Sequence, residues 1–160
     1  MSQTHAAARA AGRTQPERLV RLRGASIGVV VMLIIQFILG MIYNLYGTAP
    51  TSTKSIGLFS SPTIALHVIV GIVLGLAAIA QLVRAIGARH SLTIWLSALG
   101  LVFIIGAGFA GLGFSGSGAA GASLGMSLAF AAALACYLVL IVVLPSAAAA
   151  AEGSRPSSTT

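Results

Sequence analysis

Apolar residues gather into four long runs, at about 25–46, 63–86, 91–114 and 122–144, separated by stretches rich in glycine, serine, threonine and arginine. A helix rises 1.5 Å per residue, so runs of this length cross a hydrocarbon core of about 30 Å. The second run organises the rest: within 63–85 its only strongly polar side chains are His67, Gln81 and Arg84. His67, Gly71 and Gly75 follow at steps of four, which puts the imidazole on one stripe with two glycines and predicts that it faces protein. In the first run Gln36, Gly40, Asn44 and Gly47 recur near helical spacing as a second, mildly polar stripe that prefers a protein neighbour. In the fourth, Gly121, Gly125, Ala129 and Ala133 make a small-residue seam.

These patterns predict an all-α fold, an up-down-up-down bundle of four transmembrane helices over residues 24–145, with close crossings at Gly71/Gly75 and Gly121/Gly125/Ala129. Residues 1–23, with five arginines and Glu17, are expected to form a disordered basic tail, and 146–160 a second tail. The first run exceeds a signal-peptide core of about 7–15 residues and is expected to stay as a span. Ser91 is expected to cap the third helix, and 115–121 to form a flexible loop. Aligning the stretch from Gln36 with that from Val102 matches Phe37/Phe103, Ile38/Ile104, Gly40/Gly106 and Gly47/Gly113, as a duplicated helical hairpin would.

Composition agrees with a membrane class: 58% of residues are hydrophobic, 7% are charged and mean hydropathy is +1.02. The net charge of +7 does not signal nucleic acid, because the basic residues sit in tails and short turns without an aromatic-basic module. Eight of them (Arg9, Arg13, Arg18, Arg21, Arg23, Arg84, Arg89 and Arg155) fall on one side of the predicted topology and Lys54 alone on the other. The positive-inside bias then puts both termini in the cytoplasm and the protein in the cytoplasmic membrane. Partners are expected to be the lipid bilayer and either a second copy or another membrane protein.

Candidate chemistry is sparse. Met41, Tyr43, Asn44, His67, Ser123 and Met126 lie near the ends of their runs opposite the termini and are expected to share one polar layer. Imidazole with a thioether suits an axial haem pair or Cu(I), making His67 and Met126 candidate cofactor ligands. The alternative is a structural histidine bonded to Asn44, Tyr43, Ser123 or a carbonyl, with methionine as core filler. One cysteine, Cys136, allows no cysteine-based zinc site. With no Asp or Glu between Glu17 and Glu152, a proton-coupled small-solute transporter lacks its usual embedded acid. Ser115-Gly116-Ser117-Gly118 lacks the strand and acid of a serine hydrolase. His5 and His90 fall outside the spans and are expected to be solvated.

The set Gln36-Phe37, Leu39-Gly40-Met41, Tyr43-Asn44-Leu45-Tyr46, Leu66-His67 with Gly71, Ser123, Met126 and Phe130 resembles a group of small, uncharacterised prokaryotic four-span membrane proteins over about 27–143. That resemblance implies the four-span architecture and makes Asn44, His67, Ser123 and Met126 positions to test. A looser likeness is to four-helix haem b proteins of the cytochrome b561 and haem A synthase kind, which hold haem between histidines on facing helices. Here only one histidine lies within a span. The expected role is a non-enzymatic interaction or accessory subunit, with a haem- or quinone-linked electron carrier using His67 as the alternative and a transporter as the third.

Overall fold

A computed structural model describes residues 15–145; the expected tails at 1–14 and 146–160 lie outside the described residues. The described chain forms four helices: α1 (Gln15–Tyr46), α2 (Pro62–Ala88), α3 (Ser91–Ser117) and α4 (Ala120–Val143). Each packs on its two neighbours, with α1 closing on α4, so the four make an up-down-up-down bundle. One end carries the 47–61 loop and the α3–α4 turn and is called the loop end. The α2–α3 turn, the start of α1 and the finish of α4 share the terminal end.

All four helices are long and apolar enough to span a membrane, and in the most apolar window of each only 17% of residues are buried. Most of the large apolar side chains therefore point outward. The interior is built from small and polar residues together with a few large ones: Ser26, Gln81, Thr93, Ser97 and Tyr137 are fully buried beside Leu22, Ala78, Ala85, Ala133 and Leu140. Burying alkyl side chains yields little when the surroundings are equally apolar, so close packing and interior hydrogen bonds hold such a bundle. The chain is a multi-pass membrane protein with four candidate spans. Trp95 and Tyr46, exposed at opposite ends, suit the two membrane–water interfaces.

Helix ends differ from expectation where local hydrogen bonding favours extension. α1 begins at Gln15, so the segment up to Arg23, expected as disordered tail, is helical. Leu22 is buried in the core and the Arg18 guanidinium donates to the Gly87 carbonyl at 3.1 Å, a cation set at the α2 C-terminus. Ser61 caps α2, its hydroxyl accepting from the Ile64 amide, with Pro62 opening the helix. The α3 N-cap is His90, not Ser91, and the His90 ring bonds Thr93 Oγ1 at 3.0 Å. α3 runs on to Ser117, so the expected loop at 115–121 reduces to a turn at Gly118. Gly118 has φ 67°, and a Cβ there would strike the Pro50 carbonyl oxygen, so glycine is required twice over. The Ile56 amide donates to the Ser115 carbonyl at 2.9 Å, tying the 47–61 loop down onto α3.

Candidate functional site

His67 projects from α2, five residues after its start, into the α1–α2 contact. Its Nε2 lies 3.1 Å from Gln36 Nε2 on α1. Two glycines make this pairing possible. A Cβ at Gly40 would lie 3.2 Å from His67 Cε1, and one at Gly71 would lie 3.0 Å from Gln36 Nε2. Each polar side chain thus rests on a bare patch of the opposite helix, and the two stripes read from the sequence interlock.

The pair is incompletely satisfied, since His67 Nδ1 and Gln36 Oε1 are both buried without a partner. With the amide nitrogen donating to Nε2, the imidazole proton sits on Nδ1, leaving one free donor on the ring and one free acceptor on the amide. Such a set can bind a small neutral molecule that both accepts and donates, and a quinone carbonyl is an acceptor it can serve. Glu17 is the sole acid among the described residues and sits in the first turn of α1, 19 residues before Gln36, so it does not pair with His67.

The other expected members of the layer go elsewhere. Asn44 and Met41 are exposed. The Tyr43 hydroxyl donates to the Thr48 carbonyl at 3.0 Å, and its ring lines a cleft of about 440 Å³ at the loop end with Tyr46, Lys54 and Ser61. Ser123 is half-buried on α4, where its carbonyl accepts from the Ser127 hydroxyl. Met126 turns to α3, its sulfur 3.4 Å from the Cβ position of Gly111. His67 and Met126 therefore engage different helices, and Nε2 is taken by Gln36, so this donor set does not fit a haem held by both within one chain.

Counting inward from helix ends missed Gln36 because α1 overshoots. Gln36 lies ten residues before Tyr46 whereas His67 lies five after Pro62, so α1 extends about five residues, roughly 7 Å, past the start of α2. The signal that names the right partner is the i,i+4 pairing of Gln36 with Gly40, a polar group beside a bare patch.

Of the expected packing positions, Gly71 meets Gln36, a Cβ at Gly125 would lie 3.9 Å from Ala110 Cβ, and nothing approaches the Cβ positions of Gly75 or Gly121 within 4 Å. Ala129 is half-buried on α4. The tightest glycine contact between two helices is one the sequence stripes did not single out: a Cβ at Gly100 would lie 2.6 Å from Tyr137 Cε2. Nor do Gly40 and Gly106 play matching parts in the two hairpins, since Gly106 faces open space.

A second polar cluster lies toward the terminal end. Gln81 Nε2 donates to Ser26 Oγ at 2.8 Å and to the Leu22 carbonyl at 3.2 Å, and Ser26 Oγ donates to that same carbonyl at 2.9 Å. Among the described residues no group of three or more His, Cys, Asp or Glu could hold a metal ion. Set against known protein families, characterised proteins and solved structures, the chain matches none of them.

Proposed function

We propose that the protein is a non-enzymatic accessory subunit that assembles, within the cytoplasmic membrane, with a helix of another membrane protein or of a second copy. The observation that carries this is the placing of its glycines. Gly24 and Gly28 on α1, one turn apart, and Gly106 and Gly108 on α3 are all exposed, with nothing within 4 Å of their Cβ positions. They leave bare backbone on faces otherwise covered by Ile27, Val31, Val102, Ile105 and Phe109. Glycine costs a helix about 1 kcal/mol relative to alanine, and close approach of a neighbouring helix is what recovers it in a bilayer.

The orientation we propose has both termini cytoplasmic. Arg18, Arg21, Arg23, Arg84 and Arg89 cluster at the terminal end, with Lys54 alone at the loop end, which supports it. Against transport stands the interior between the two polar clusters, where buried Val29, Val30, Leu33 and Leu74 separate Gln36–His67 from Ser26–Gln81.

The test is cross-linking in native membranes through a cysteine at Ile105 or Ile27, in a Cys136→Ser background. Capture of a discrete adduct that Gly106→Leu or Gly28→Leu abolishes, with the monomer still folded, is expected. A protein that stays monomeric and uncrosslinked at both faces overturns the reading.

A further inference from the structure

Besides Arg23 Nε on α1, three buried polar atoms in the terminal half of the bundle have no hydrogen-bond partner: Gln81 Oε1, Ser97 Oγ and Tyr137 OH. They come from three different helices, and all three residues have 0% exposure. Contacts bring them to similar depths: the Tyr137 hydroxyl lies 3.2 Å from the Cβ position of Gly100, one turn from Ser97, and the two-residue turn at 89–90 keeps Gln81, seven residues before the end of α2, level with Ser97, six after the start of α3. At 1.5 Å per residue that is a layer about 10 Å inside the helix ends.

Local packing turns these groups toward the bundle interior. Gln81 spends its amide hydrogens on Ser26 and Leu22 of α1, which fixes the side chain and leaves the carbonyl oxygen bare. The Tyr137 ring lies over Gly100, with its hydroxyl 3.2 Å from the Cβ position there, and Ser97 is one turn away on the same face of α3. Gln81 is flanked on its own helix face by Ala78 and Ala85, which keep the side-chain volume around it small.

We infer that this layer binds ordered water joining α2, α3 and α4. Gln81 Oε1 can only accept, while the two hydroxyls can each donate. One water that donates to Oε1, accepts from the Tyr137 hydroxyl and bonds Ser97 in either sense makes three hydrogen bonds, the usual complement of a buried water. Leaving any one of these groups unpaired in an apolar interior is costly, so the water is part of what holds the helices in register.

The test is radiolytic hydroxyl-radical labelling of the full chain in lipid nanodiscs, read by peptide mass spectrometry, together with thermal midpoints of Tyr137→Phe, Ser97→Ala and the double variant. Radicals form at a bound water in place, so Tyr137 is expected to be labelled despite its complete burial, and to lose that label in Ser97→Ala. Each single variant is expected to lower the midpoint, with the double variant falling less than the two combined. The inference is overturned if Tyr137 stays unlabelled beside a labelled Tyr46. It is equally overturned if Tyr137→Phe holds or raises the midpoint, since deleting an unbonded buried hydroxyl removes only its desolvation cost.

Discussion

Replacing Gly100 with alanine adds one methyl at the most crowded point on the α3–α4 contact. Built on the backbone, the new Cβ lies 2.6 Å from Tyr137 Cε2 and 2.9 Å from Cζ. Ordinary carbon contacts are about 3.5–4.0 Å, so ring and helix must part by about 1 Å. The ring has no room to yield: Tyr137 has 0% exposure and sits among Ala133, Leu140 and the neighbouring helices. Overpacking of this kind costs about 1–3 kcal/mol, against a gain of about 1 kcal/mol in helix propensity from Gly to Ala. The expected net loss is about 0–2 kcal/mol, read as unfolding free energy in a reversible SDS titration from mixed micelles. Gly75→Ala, with nothing within 4 Å of the new methyl, is the control and is expected to be neutral or stabilising by about 0.5 kcal/mol. Shortening the ring in Tyr137→Leu should remove most of the penalty of Gly100→Ala, a coupling that a double-mutant cycle measures. A Gly100→Ala variant as stable as Gly75→Ala would refute the reasoning.

Three further outcomes are expected. Gln36→Ala strips His67 of its partner and should cost about 1–3 kcal/mol, whereas Gln36→Leu with His67→Phe, which removes both polar groups, should cost less than the single change, by the same SDS titration. Arg89 holds φ 54°, so Arg89→Gly should stabilise by about 0.5–1 kcal/mol; an unchanged or lower thermal midpoint would show that the turn does not carry that strain. Protein purified from cells supplied with haem should give a featureless visible spectrum, oxidised or reduced, identical to that of His67→Ala. A Soret band lost in the variant would instead make His67 a haem ligand, with its second ligand from outside this chain.

Four spans were legible in the sequence because a bilayer demands about 20 consecutive apolar residues, a signal that does not depend on what packs against what. The same holds for a break near Gly118, where local backbone chemistry sets the geometry. His67 stood out because a polar group in such a run is rare. What the sequence alone left undecided is which faces meet. A glycine stripe reads the same whether it receives a side chain, as Gly71 receives Gln36, or meets nothing within 4 Å, as Gly75 does. The tertiary structure decided the partner of His67, because the relative depth of α1 and α2 is set by the 47–61 loop and by packing, and no residue count from the helix ends contains that offset. It also decided that Gly100 carries Tyr137 and that Gln81, Ser97 and Tyr137 share a layer, since both follow from three helices closing around a common axis.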